Sequence, residues 1–216
     1  AFKQAGTGAV DRTVADELRL IVTPQQFGAL ANNLTDDIAA FDAAIAKLRA
    51  AGGGILTLSG NYRISRPIRL CNNLQIKGAA RILPTPGFVS SVVYPTFSTL
   101  VPQPYKCMAY FNEGTHADDP GNFGYSGLEI APSVIFDGQY HVEAPVGLIV
   151  EGMTNYNIEC QFTQFLSIGP WLKYYCWGGR LASYVTNCRT AFAKLGPASN
   201  GIDMNGFKGY GQADTP

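Results

Sequence analysis

The chain has 216 residues, 46% of them hydrophobic, and its 16 Lys and Arg balance its 16 Asp and Glu, so its net charge near pH 7 is zero. Balanced charge with no basic run excludes the electrostatic footprint of a nucleic-acid-binding protein. No apolar stretch approaches the roughly 20 residues that span a bilayer, and no basic-apolar leader opens the chain, so membrane insertion is not expected either.

Residues 1–24 read as a connector. AFKQAGTGA is flexible in composition, Thr13 is placed to cap a short helix through Leu20 with Asp16 in a capping-box position, and Pro24 ends it. Val14, Leu18 and Ile21 fall on one side of that helix, which is too short to be stable alone and needs an apolar partner surface. A second helix follows. Thr35 is its expected N-cap, Asp36 and Asp37 face the positive end of its dipole, and Lys47 and Arg49 fall near the negative end. Ile38, Phe41, Ile45 and Leu48 make one apolar stripe, and Gly52, Gly53 and Gly54 stop the helix. The hydrophobic period then changes, giving short strands at 55–58, 62–64, 68–70 and 74–76. Ser59-Gly60-Asn61 and Asn72-Asn73 are the expected turns, and Pro67 breaks another run. Strands this short need stacked neighbours.

Residues 84–126 hold Pro84, Pro86, Pro95, Pro102, Pro104 and Pro120, a density that disfavours central strands. They read as a long insertion with edge strands of its own at 88–94 and 105–111. From residue 127 apolar anchors recur in two interleaved series. Leu128, Leu148, Leu172 and Phe192 form one, and Ile135, Ile158, Leu181 and Ile202 the other, both with steps of twenty-odd residues. Such a step suits stacked coils with more than one strand each. Cys71, Cys107, Cys160, Cys176 and Cys188 are odd in number and widely spaced, which argues against a disulfide framework or zinc site and for buried thiols made in a reducing cytoplasm.

The order FGA, TDD, helix, GGG and then short strands over 27–79 resembles the N-terminal region of the pectate-lyase-like β-helix superfamily, as found in bacteriophage tailspikes and capsule depolymerases. The upstream segment GAVDRTVADELRLIVTPQQFGA is similar to the connector that joins a virion-binding part to the β-helix of a tailspike. Where that family usually has an acidic-glycine pair, this chain has Ala31-Asn32-Asn33. The resemblance implies an all-β solenoid, a right-handed parallel β-helix with an N-terminal capping α-helix and a short helical connector. Residues 1–24 would then be the neck toward other virion tail proteins and residues 25–216 the β-helix, with the insertion at about 84–126. It further implies a homotrimer in the phage tail, made in the host cytoplasm, that recognises bacterial surface polysaccharide and depolymerises it by hydrolysis or elimination. The alternative is a non-catalytic structural or adaptor segment of a tail fibre. Fold alone does not decide between them.

Glycoside hydrolysis needs paired carboxylates, and elimination from a uronic acid needs a base and a group that neutralises the sugar's carboxylate. Asp137, His141 and Glu143, with Tyr140, crowd into FDGQYHVEAP and are the candidate catalytic residues; a solvated turn explains the same residues. Glu151, Lys173 and Arg180 come from consecutive coils and are expected to stack on one outer face, where a surface ion pair is the plainer reading. His116, Asp118 and Asp119 lack a second nearby histidine, and neither a metal nor a cofactor is expected. Trp171, Tyr175 and Trp177 are the candidate glycan-binding residues, alternating along one strand face with Leu172 and Tyr174 on the other. Burial in the core or at a trimer interface would use the same aromatics.

Overall fold

The computed structural model describes residues 2–3, 11–12, 20–90, 106–111, 127–174, 176–196, 199 and 201–211. The helix expected over 13–20 lies outside them save its last residue. Ile21, expected on that helix's apolar side, begins the strand Ile21–Val22, which pairs parallel with Ile55 and Leu56. Pro24 opens a turn of 3-10 helix, Pro24–Phe27. The Thr23 hydroxyl accepts the Gln26 N–H there, and the Gln26 side chain accepts the Thr23 N–H in return.

The α-helix runs Ile38–Ala50 with Lys47 and Arg49 in its last turn. Thr35 is not its N-cap. The strand Asn32–Asp36 draws Thr35 into a parallel ladder with Gly54–Ile64, and the Asp36 carboxylate accepts the Ile38 N–H at 3.2 Å instead. Asp37 is buried, and its two oxygens accept the Leu30 and Ala31 N–H groups at 2.8 and 3.2 Å. Ile38, Phe41, Ile45 and Leu48 are all buried, as their spacing predicts, and Phe41 meets Tyr62 edge-on with ring centroids 5.0 Å apart.

The rest of the described chain is mostly β, organised as parallel ladders that it visits in a fixed order. The inward positions of the first are Val22, Leu56, Ile76, Ile130, Ile158 and Leu181, each in register with the next. Those of the second are Tyr62, Ile82, Phe136, Phe162, Val185 and Gly209. Those of the third are Phe111, Val150, Leu172 and Leu195. Apart from Gly209 and Leu195 these residues are buried, and Phe136 stacks on Phe162 at 5.6 Å between centroids. Each such side chain removed from water is worth about 1.5–3 kcal/mol, so the columns hold the ladders together.

Several sequence expectations change here. Ser59-Gly60-Asn61 does not end a strand: the ladder runs unbroken from Gly54 to Ile64, and Gly60, at φ 99°, bends it from the first ladder into the second. The stretch 84–126 is not one continuous excursion. The expected edge strand at 105–111 is Cys107–Phe111, fully enclosed between Ile68–Arg69 and Val146–Glu151 in the third ladder. Residues 88–90 form no strand, and 91–94 lie outside the described residues. The apolar series have the right step with mixed membership. Ile158 and Leu181 are true partners, but Ile135 belongs to the second ladder, and Leu172 pairs with Val150 rather than Leu148.

A cleaner periodic signal lies at the corner before the first ladder. Gly53, Asn73, Gly127, Asn155, Gly178 and Gly201 all have positive φ, at steps of 20, 54, 28, 23 and 23 residues. The step between register partners Leu56, Ile76, Ile130, Ile158 and Leu181 is 20, 54, 28 and 23. Only glycine and asparagine adopt this conformation readily, and a Cβ at Gly53 would overlap the backbone and Cβ of Asn73 in the next layer.

Candidate functional site

Asp137 closes the strand Val134–Asp137 and is 1% exposed. Arg81, one layer earlier, donates to its Oδ2 from Nε at 2.9 Å and from Nη2 at 2.5 Å, and the Gln139 N–H donates to Oδ1 at 3.1 Å. The chain then turns through Gln139 and Tyr140, both at positive φ. The Glu143 N–H donates to His141 Nδ1 at 3.2 Å, which leaves Nε2 to carry the ring proton toward the Pro86 carbonyl at 3.3 Å. Phe88 meets the same ring edge-on. The Glu143 carboxylate pairs with Lys106 at 2.6 Å, and Arg189 lies 4.7 Å over the Tyr140 ring. Asp137, His141 and Glu143 thus occupy one turn, each held by a different partner.

The aromatic set is distributed differently. Trp171 lies half-buried in the third ladder, in register with Ile149 and Lys194, with the Lys194 ammonium 4.4 Å and the Lys173 ammonium 5.6 Å from its ring centroid. Trp177 bridges to Thr154 in the turn that follows, and Tyr175 lies outside the described residues. Beside Trp171 an apolar cluster, separate from the main core, joins Cys107, Tyr110, Val146, Ile149 and Ile168.

Glu151 and Lys173 do meet, at 3.0 Å, with side chains only 1% and 8% exposed. The spacing of 22 residues located this pair, but it is buried rather than on the surface. Burial pushes the Glu151 carboxyl up, to about 8, and the Lys173 ammonium down, to about 8, with the Lys194 charge adding to the second effect; mutual attraction at contact distance opposes both. Arg180 does not join them. It belongs to the first ladder, where it pairs with Glu159 and sits 3.9 Å from Asp203.

Exposed aromatic surface gathers elsewhere, at residues the sequence reading passed over. On the second ladder, outward positions Gln161, Tyr184 and Lys208 are register partners, as are Thr163, Thr186 and Tyr210. Phe162 and Val185, the inward residues between these rows, are fully buried, which fixes the outward direction of their neighbours. Tyr184 and Tyr210 are 43% and 55% exposed, with ring centroids 5.3 Å apart at an interplanar angle of 35°. The Thr186 hydroxyl donates to that of Thr163 at 2.9 Å. A shallow groove of about 380 Å³ runs beside them, lined by Pro132, Glu159, Gln161, Ala182, Tyr184, Gly206 and Lys208. Gln161 donates its amide N–H to the Pro132 carbonyl at 3.0 Å and keeps its oxygen as an acceptor. A pair of exposed phenols, one of them lining a groove with amide, cationic and anionic groups, is suited to a sugar, whose ring has apolar faces and a polar rim. Alternation over 184–186 and 208–210 was the signal available for this strip.

All five cysteines are buried and none forms a disulfide, and burial pushes Cys176 up to about 12 and Cys188 to about 11, opposite to what a reactive thiolate requires. No group of three His, Cys, Asp or Glu among the described residues is placed to hold a metal ion. His116, Asp118 and Asp119 lie outside those residues. No described helix is long and apolar enough to cross a membrane.

Solved structures carry a similar fold. A candidate glycosyl hydrolase from Parabacteroides merdae superposes with a TM-score of 0.57 at 15% identity, over 84% of this chain and 78% of that one. The tailspike protein of E. coli bacteriophage HK620, in a mutant bound to a hexasaccharide, superposes with a TM-score of 0.52 at 16% identity. A second mutant of that tailspike, bound to a pentasaccharide, gives 0.51. In fold the chain is similar to phage tailspikes and other parallel β-helix proteins. It spans 40% of the tailspike's length, covering 88% of itself. No family model matches the chain, and no curated protein matches its sequence.

Proposed function

We propose that the three ladders are the walls of a right-handed parallel β-helix of the phage tailspike kind, with the helix Ile38–Ala50 as the lid on its first coil, and that the protein recognises bacterial surface polysaccharide. The exposed pair of Tyr184, which lines the groove, and Tyr210 carries this reading, since two outward phenols with ring centroids 5.3 Å apart offer an apolar platform to a sugar face. A glycan strand would lie along the second ladder, crossing layers about 4.8 Å apart and meeting Gln161, Tyr184 and Lys208 in turn. Mutants of the HK620 tailspike are in complex with a pentasaccharide and a hexasaccharide, which makes an oligosaccharide the natural first ligand to try.

Depolymerisation of that glycan belongs to the same reading, with Asp137, His141 and Glu143 as the candidate catalytic groups. A homotrimer in the virion, joined to other tail proteins through residues 1–24, completes it. The engagement of these three groups with Arg81, Pro86 and Lys106 favours a second reading, a binding or adaptor segment without catalysis. Incubation of the protein with host capsule or lipopolysaccharide separates the two. Released oligosaccharide that disappears in Asp137→Asn supports catalysis at the turn, new ultraviolet absorbance specifies elimination, and binding without product supports the adaptor. Absence of both binding and product across a broad glycan set overturns the polysaccharide reading. A sedimentation mass of three chains is expected, and a mass of one chain removes the trimer.

A further inference from the structure

The charges around the groove are unequally matched. Glu159 is held by Arg180 Nη1. Asp203 has Arg180 Nε at 3.9 Å, and its Oδ1 accepts the Asn205 N–H at 2.8 Å. Arg180 closes the first-ladder side: a Cβ at Gly206 would lie 3.7 Å from its Nη2. Both carboxylates are therefore turned toward one guanidinium. On the second-ladder side Lys208 is exposed, stands in register with Tyr184, and makes no ion pair among the described residues.

We propose that this groove selects acidic polysaccharides, a sugar ring lying over Tyr184 and Tyr210 while its carboxylate meets the Lys208 ammonium. The proposal rests on the glycan-binding reading above. It adds the substrate class and the residue that sets it. Stacking on a phenol is tolerant, because most sugars offer an apolar face, whereas a cation beside the ring discriminates. A neutral sugar leaves Lys208 hydrated and gains nothing from it; a carboxylate gains a charge-assisted hydrogen bond. The Gln161 oxygen and the Thr163 and Thr186 hydroxyls then read the sugar's hydroxyl rim. Glu159 and Asp203 share the one guanidinium of Arg180, which leaves a net negative charge on the first-ladder side, so an acidic sugar is met from the Lys208 side alone.

The test is an array of acidic and neutral bacterial surface polysaccharides probed with the full chain, each bound polysaccharide being repeated after chemical reduction of its carboxyl groups. Binding confined to carboxylated glycans is expected, about tenfold weaker after carboxyl reduction and about tenfold weaker in Lys208→Gln, with Lys208→Arg restoring most of it. Binding should also weaken as salt rises. Equal binding of reduced and native polysaccharide, or a Lys208→Gln variant that binds as tightly as the parent, overturns the selection of acid and leaves glycan binding standing. Binding to no glycan at all overturns the underlying reading. Lys208 is exposed, so its substitution leaves the fold intact, and a matching unfolding curve verifies this.

Discussion

On the second ladder Tyr184 and Tyr210 are 43% and 55% exposed, whereas on the third Tyr110 is 7%, Ile149 2% and Glu151 1% exposed. Both faces carry aromatic and charged residues at comparable positions along parallel strands. One offers its phenols to solvent beside a groove; the other folds its aromatic and aliphatic residues into a second apolar cluster and buries an ion pair next to it. Strand alternation decides whether a side chain leaves the core. What covers it afterwards decides whether it meets a ligand or becomes part of a second core.

The sharpest way to break this contrast is to remove Glu151. Glu151→Ala removes the carboxylate 3.0 Å from the enclosed Lys173 ammonium, which must then stay charged inside the wall or give up its proton, and a loss of about 3–5 kcal/mol in unfolding free energy is expected from urea titration. A loss below about 1 kcal/mol would mean that this face is wet, like the other. Trp171→Ala comes next, with about 2–3 kcal/mol lost as a half-buried indole is removed, and glycan affinity held within about twofold. Loss of glycan binding with unchanged stability would instead move the sugar platform to the third ladder. The reciprocal change, Tyr184→Ala with Tyr210→Ala, is expected to weaken glycan binding about tenfold or more and to shift stability by less than about 1 kcal/mol, read by calorimetric titration and thermal unfolding of one sample.

The buried pair also sets a pH dependence. Glu151 is raised in the folded state, so its stabilising contribution is complete below about 4.5 and lost as pH rises through about 8. Lys173 is lowered, so its contribution is complete above about 10.5 and lost as pH falls through about 8. Stability relative to the variant Glu151→Gln with Lys173→Met therefore passes through a minimum near pH 8. A flat difference between the two urea midpoints from pH 5 to 10 would show that the pair's attraction cancels its burial.

Much of the first eighty residues was legible because local chemistry and tertiary position agree there. Ile38, Phe41, Ile45 and Leu48 are buried, Asn73 takes the turn conformation, and the strands that follow pair in parallel. Thr35 misled because Asn32–Asp36 is drawn into a ladder with Gly54–Ile64, a contact no local window contains. The strand expected over 105–111 is present as Cys107–Phe111, but proline density on either side made it read as the edge of an insertion rather than an enclosed member of the third ladder. The repeat register was blurred because apolar residues face both the main core and the second cluster, so anchors from different ladders interleave. The Gly and Asn corner column carried the true steps, since the left-handed conformation filters residue type more strictly than burial does.

For the candidate site the balance is reversed. Glu151 and Lys173 were paired correctly from a separation of one layer, yet their burial could not be read from it. Asp137, His141 and Glu143 were placed in one turn, but their partners Arg81, Pro86 and Lys106 come from 37 to 56 residues earlier in the chain. The sequence by itself determined the helix stripe, the glycine stop, the burial of the cysteines and a layer step of twenty-odd residues, because each depends on spacing or on a residue's intrinsic conformational limits. Only the tertiary structure decided which outward strip stays open, since exposure depends on how distant segments pack over a wall.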